Sequence, residues 1–406
     1  MSREKNSLTK KASKKKLFPL ITEEKMDYFL TEDQKELKEL ARRIAIEKML
    51  PVREKYDEEG IFPWDIVKIM AQSDLFGVMV PEEYGGLSGK VTDLIVVTEE
   101  LCKVDAGVSL AFGATGLGMY PILLSGSEEQ KQKYLPLIAE GKKLAAFGIT
   151  EANAGSDAGN MQTTATRDGD FYILNGTKQW ITNGGEAEIY TIFAMTNKAK
   201  GNRGCSCFIV EKDTPGFTFG KKENKMGIRA SATRELIFED CRIPRANLIS
   251  SEGLGLIIAA RTFDKSRPMV AAQAIGIAMG ALEVAAKYVK ERVQFGSPVA
   301  SFQGVQFMLA DMATQIEAAR ALIYNTARMI DDGVKNYSKY SAMCKYYASD
   351  VAMQVTTDAV QLLGGYGYMK EYPVEKMMRD AKIMQIYEGT NQIQRRNVAL
   401  DLLKEY

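Results

Sequence analysis

The chain has 406 residues, with 53 Lys and Arg against 52 Asp and Glu, and no histidine. Near-neutrality argues against a nucleic-acid or membrane-surface role for the body of the protein, and the missing histidine excludes Ser-His-Asp triads, Cys-His pairs and His-ligated metals. Five cysteines in a chain this long read as free thiols in a reducing compartment, not a disulfide framework.

Residues 1–22 form the first segment. Arg3, Lys5, Lys10, Lys11, Lys14, Lys15 and Lys16 face a single acid, Glu4. This composition predicts a disordered, solvated tail. It lacks the apolar core of a secretory signal.

From 23 to 143 the signals are mostly helical. Thr31-Glu32-Asp33 reads as an N-cap and first turn, and Leu37, Leu40 and Ile44 follow at helical spacing. Pro81 to Gly86 is a turn-rich break, Leu94, Val97 and Leu101 mark another helix, and Glu128 to Leu137 a short amphipathic one. No apolar run is read as approaching the ~18–20 residues of a membrane span.

The pattern changes over 144–252. Phe171–Leu174, Ile189–Phe193 and Cys207–Val210 are short β-type runs, and Asn175-Gly176 reads as a hairpin turn. Cys205 and Cys207 belong in a strand, not around a metal. From 253 to 406 long helices return, over Ala271–Arg292, Val305–Asp331 and Tyr337–Leu363. The expected fold is mainly α with a central β domain.

No G-x-G-x-x-G and no G-x-x-x-x-G-K-[ST] occurs, so the usual nicotinamide and P-loop signatures are missing. Four constellations remain. Phe147 to Asp157 runs from a strand-like start into a small-residue loop, suited to a heterocycle edge, a phosphate or a plain surface turn. Trp180 and Thr182 share a strand face and could stack on a flat cofactor, or Trp180 could be core. Phe263 to Pro268 opens a helix, where Asp264 and Arg267 either bind a polar ligand or cap. Tyr387-Glu388-Gly389-Thr390 sets a carboxylate beside apolar Ile383, Met384 and Ile386. Such a carboxylate loses hydration and becomes a stronger base. Its other reading is a cap for the helix that follows.

Together with Met226–Arg229, Phe238–Pro244, Glu291-Arg292, Gln294–Gly296 and Gln361–Gly365, these motifs resemble the acyl-CoA dehydrogenase family over the whole chain from about Thr31. The resemblance is closest to short- and medium-chain and butyryl-CoA dehydrogenases. It implies a helical N-domain, a middle β-barrel and a C-terminal four-helix bundle. It also implies FAD, an acyl-CoA substrate, an electron-transfer flavoprotein as partner, and a homotetramer built as a dimer of dimers. Glu388 would remove the α-proton while the β-hydride moves to flavin N5. Phe147, Ile149, Thr150, Gly155, Ser156, Trp180, Ile181 and Thr182 would hold the flavin. Arg292, Gln294, Phe295, Gln303, Gln361, Gly364 and Gly365 would reach a neighbouring subunit's FAD, and Thr390 and Gln392 would also contact it. Ser156, Asp264, Arg267, Tyr387, Gly389 and Glu99 would meet the substrate. Some subfamilies place the base near Ser266, which cannot serve here.

Leu87–Asp93 departs from the family wording and leads into a charged helix carrying Glu99, Glu100 and Lys103, which suggests a branched or alicyclic acyl group. An enoyl-CoA reductase would use the same residues in reverse. An acyl-CoA oxidase and a non-catalytic scaffold are the remaining readings. The expected location is cytoplasmic, with the mitochondrial matrix as the alternative.

Overall fold

The computed structural model describes residues 28–406. The basic tail predicted over 1–22 lies outside the described residues. Helix α1 (Glu32–Ile44) opens with a capping box in which Thr31 and Gln34 exchange side chain-to-backbone bonds, as its sequence predicts. A π-helical segment, Ala45–Met49, continues it. Helices α2 (Arg53–Glu59), α3 (Trp64–Gln72), α4 (Val91–Val104), α5 (Ala106–Ser125) and α6 (Glu128–Ala139) complete the N-terminal layer.

Strands β1 (Ala145–Gly148), β2 (Thr164–Asp168), β3 (Phe171–Thr182), β4 (Ile189–Met195), β5 (Cys205–Glu211), β6 (Phe217–Lys222), β7 (Thr233–Pro244) and β8 (Leu248–Ile249) follow. They pair in the order β6-β7-β3-β2-β4-β5-β8, with β1 parallel to β4, so β6 and β8 end an open path. Asn175-Gly176 is not the hairpin turn. The β2–β3 turn is Gly169-Asp170, between paired Asp168 and Phe171. Gly176, at φ +137°, sits at a register shift inside β3, where a Cβ would meet the Thr163 backbone at 2.7 Å. Asn-Gly here serves a bulge and a close approach, which a local turn rule cannot distinguish from a hairpin.

The C-terminal layer is built on α7 (Gly255–Glu291), then a small ribbon of β9 (Val293–Gln294) and β10 (Ser297–Pro298), then α8 (Gln303–Asp331) and α9 (Ser338–Leu363). Two shorter helices, α10 (Val374–Met384) and α11 (Asn391–Leu402), pack on α9. Helix α7 starts earlier than predicted, so Phe263–Pro268 lies inside it and Asp264 and Arg267 are not caps.

Helices α5 and α7 are, among the described residues, long and apolar enough to cross a membrane, contrary to the sequence expectation. Their most apolar windows are 83% and 72% buried inside the fold, as befits core helices. Ala, with scattered Ile, Leu, Val and Met, raises their hydropathy, while interspersed Gly and polar residues break any unbroken run of large apolar side chains. Small residues also bring α5 onto the sheet: a Cβ at Gly118 would lie 2.5 Å from the Ala146 nitrogen. This contact fixes β1, which leads into the Phe147 loop.

Candidate active site

Glu388 lies in the turn between α10 and α11. Ile386 and Tyr387 donate their N–H groups to the Ile383 carbonyl, and the Thr390 hydroxyl caps α11 by accepting from Ile393 N–H at 3.4 Å. Glu388 itself takes φ +52° and Gly389 φ +90°. The left-handed region is costly for a side chain with a Cβ, so a functional constraint is a reasonable inference. Among the described residues the Glu388 N–H has no hydrogen-bond acceptor.

The Glu388 carboxylate meets α7. The Ser266 hydroxyl donates to its Oε2 at 3.0 Å. Burial raises its pKa to about 7, against the opposing pull of Ser266, Arg267 and Lys345. Glu388 as a whole is half-buried, and a carboxyl poised near neutrality is suited to accept a proton.

One turn before Ser266, Phe263 packs edge-on against Phe147 at 5.3 Å, which joins the start of the β1 loop to the same neighbourhood. Arg267 is buried and donates to Asp264 Oδ1 at 2.8 Å, while its Nε finds no partner among the described residues. Asp264 also accepts from the Ser338 hydroxyl at 2.9 Å. Beside it lies a cavity of about 370 Å³ lined by Arg261, Lys335 and Tyr337. Next to Glu388 in the chain, the half-buried Tyr387 donates its hydroxyl to Gln273 Oε1 at 2.5 Å.

The remaining predicted residues fall into two groups. Arg292, Gln294, Gln361, Gly364 and Gly365 line one pocket of about 580 Å³, with Arg292 over the Tyr366 ring at 5.4 Å. No residue of the β domain lines it. Phe295, 96% exposed, and Gln303 stand outside this pocket at the β9–β10 turn and the first turn of α8. On the β domain, Trp180 is 57% exposed at φ +58°, at a register shift of β3, and Thr182 is half-buried. Gly155 and Ser156 are exposed, and space around a Cβ at Gly155 is open. Thr150 is half-buried, its carbonyl accepting from Gln179 N–H at 2.8 Å. Gln392 is exposed on α11. The Ile181 and Ile149 side chains are in the core, so they offer a ligand only backbone.

Glu99 corrects one expectation. It is 1% exposed, and both its oxygens accept from Arg320, with a further bond from the Tyr324 hydroxyl at 3.0 Å. Its carboxylate ties α4 to α8 and is not free to face a substrate. Glu100 pairs with Lys38 and Lys103 with Glu283. In the departing segment, Asp331 caps α4 by accepting from Val91 and Thr92. The charges that suggested an unusual acyl group are therefore engaged with neighbouring helices.

Several residues important to this geometry carried no sequence signal strong enough to name their role. Lys345, fully buried on α9, donates to the Gly389 carbonyl at 2.7 Å. Asn183, at φ +61°, donates to Ala111, Thr115 and Ala145 and fastens the turn after Trp180-Ile181-Thr182 onto α5. Lys178 and Glu151 form a buried pair at 2.7 Å beneath the 149–156 loop. Only the polar residue at an otherwise apolar helix or strand position could have flagged them.

Comparison with known proteins agrees with this architecture. Family models described as the N-terminal, middle and C-terminal domains of acyl-CoA dehydrogenase match residues 31–142, 146–241 and 253–403. The short-chain-specific acyl-CoA dehydrogenase of Megasphaera elsdenii is 50% identical over 374 residues, 91% of this chain and 97% of that protein. The acryloyl-CoA reductase (NADH) of Anaerotignum propionicum is 48% identical over 382 residues, 94% of this chain and 97% of that one. Among solved structures, butyryl-CoA dehydrogenase from Megasphaera elsdenii superimposes with a TM-score of 0.91 at 49% identity, covering 93% of this chain and 100% of its own. A chain solved in work on the electron transferring flavoprotein of Acidaminococcus fermentans gives a TM-score of 0.91 at 53% identity, covering 93% and 100%. An acyl-CoA dehydrogenase complexed with FAD from Bacillus anthracis gives 0.88 at 35% identity, covering 94% of this chain and 70% of its own. This chain belongs to the acyl-CoA dehydrogenase family.

Proposed function

We propose that the protein is an FAD-dependent acyl-CoA dehydrogenase that converts short saturated acyl-CoA thioesters to 2-enoyl-CoA, with Glu388 as the base. The observation that carries this reading is the Glu388 carboxyl, held against Ser266 with its pKa raised by burial to about 7, beside its own unpartnered N–H. The α-proton of a thioester is weakly acidic. A desolvated carboxylate can take it while an N–H donor stabilises the charge that develops on the thioester oxygen.

The surfaces suit the cofactor. Trp180 offers an exposed indole face, Gly155 an open backbone approach, and the Arg292–Gly365 pocket a cation beside two glycines with no crowding at their Cβ positions. Bound FAD supplies the hydride acceptor, and the protein supplies position and electrostatics. Because the Arg292 pocket holds no β-domain residue, it is read as serving the FAD of a second subunit, within a homotetramer. The unpartnered Arg267 Nε and the Arg261–Lys335 cavity beside Asp264 suit the phosphates and polar arm of CoA. The electron acceptor is read as an electron-transfer flavoprotein.

Short chains follow from α7. Gln273 lies seven residues, about 10.5 Å of helix, beyond Ser266. There its buried side chain accepts from the Tyr387 hydroxyl, and we read this polar pair as the end of the acyl site. A long alkyl chain would have to strip that bond. The relatives named for short-chain and butyryl substrates agree with this direction. The reductase relative marks a second reading, in which the same residues run in reverse.

A panel of straight, branched and cyclic saturated acyl-CoAs, assayed with an artificial electron acceptor, tests the proposal. A maximum in kcat/KM at a short straight chain is expected. Turnover of no saturated acyl-CoA by flavin-loaded protein would overturn it.

A further inference from the structure

Beneath Glu388 lies a cation that the reaction as proposed does not use. Lys345 is fully buried on α9, and its ammonium donates to the Gly389 carbonyl at 2.7 Å and to Asn391 Oδ1 at 3.0 Å. Asn391, the first residue of α11, is itself held by Ser349 at 2.9 Å and Asp350 at 2.8 Å. From α11, Gln394 donates to the Glu388 and Gly389 carbonyls at 3.0 and 3.1 Å. Both carbonyls of the left-handed Glu388-Gly389 segment are thus tied to buried side chains.

A bare backbone tie would not need a charge. An amide, as in Gln394, donates to a carbonyl without the large penalty of burying an ammonium. The buried lysine therefore asks for an electrostatic partner. The groups around it are Glu388 in the turn, Arg267 on α7 and Asp350 on α9. Asp350 is already engaged by Arg395 at 2.6 Å and by Asn391. Around Glu388 stand Ser266 and Arg267 from α7, Lys345 from α9, Tyr120 from α5 and its neighbour Tyr387.

We propose that Lys345 is a positioning residue for the base. By gripping the Gly389 carbonyl it holds the left-handed turn, and its charge stands behind Glu388 and favours the ionised carboxylate. The inference rests on Glu388 being the base. Burial lowers the Lys345 pKa to about 7, partly restored by Glu388, so its charge is present in the range where Glu388 itself titrates. The help it gives is therefore greatest on the acid side and fades as Lys345 loses its own proton.

The test compares wild-type holoenzyme with Lys345→Met and Lys345→Gln, the latter keeping an uncharged donor. The readouts are the pH profile of kcat/KM, the split between kcat and KM, and retention of FAD. The expected result is an acidic limb moved upward by about one unit in both variants. That corresponds to roughly tenfold lower activity below neutrality. The deficit should narrow above about pH 8, and KM should change less than kcat. A variant that keeps FAD but leaves the acidic limb where it was in wild type overturns the inference, as does failure of both variants to fold, which would assign Lys345 to the core alone. Glu388→Gln, measured alongside, separates the two claims. Full activity there would sink the base assignment itself, whereas an inactive Glu388→Gln with an unmoved limb in the lysine variants would sink only the role of Lys345.

Discussion

At the residue scale, the proposed chemistry rests on one half-buried carboxylate with a raised pKa, and its titration has two consequences. The proton-accepting form of Glu388 grows as pH rises through about 7, so the kcat/KM of the holoenzyme should climb across that range. A profile flat from pH 5.5 to 8.5 would contradict this. The second consequence concerns stability. The folded pKa of about 7 lies above the ordinary value of 4.5, so the stability this group contributes is full below 4.5 and lost as pH rises through 7. Replacing it with Gln removes that loss. The Tm of Glu388→Gln relative to wild type should therefore be higher at pH 8 than at pH 5. Glu99 makes the opposite case, a buried carboxylate with a structural job. Removing it in Glu99→Ala leaves the buried Arg320 with only the half-exposed Glu317 as its ionic partner, which should cost about 3 kcal/mol by chemical denaturation. The acyl-chain preference should stay as it was.

At the element scale, α7 organises the site, and its geometry also explains which parts of the fold were legible. The helical periodicity of its C-terminal half, and of α8 and α9, is readable from the chain because apolar residues recur at helical spacing. Its first turns were not, because Pro268 and the charged Asp264-Lys265 look like a boundary until Phe263, Ser266 and Arg267 are seen packed inward. Asn175-Gly176 reads as a hairpin and folds as a bulge for a related reason: local turn chemistry says φ is unusual, not what backbone lies opposite. The Tyr387–Glu388–Gly389 turn was legible as a motif, whereas its supports, Lys345, Gln273 and Gln394, come from other helices and only tertiary contact reveals them. The α7 geometry also gives a test of chain length. Gln273→Ala removes the polar stop, so preference should move toward longer acyl chains, with the ratio of kcat/KM for eight- over four-carbon substrates rising about tenfold. That is the scale of a few methylenes gaining or losing burial. An unchanged ratio would place the limit elsewhere.

At the scale of the whole molecule, the helical, sheet and helical layers meet where Phe147, Phe263, Ser266 and Glu388 come together. The Arg292 pocket is lined from α7, β9 and the end of α9, and Phe295 at the β9–β10 turn and Phe307 on α8 are exposed. If it serves a second subunit's cofactor, Arg292→Ala should release FAD more readily, by about tenfold in the retained fraction after dialysis, while leaving the circular dichroism of the fold intact. Native mass spectrometry should find the wild-type protein as a tetramer.

The most direct test of the account mixes the flavin-loaded protein anaerobically with butyryl-CoA in a stopped-flow instrument and follows bleaching of the flavin band. The account predicts rapid bleaching in wild type, slowed by about 10²–10⁴-fold in Glu388→Gln with FAD still bound. Bleaching of Glu388→Gln at the wild-type rate would contradict it.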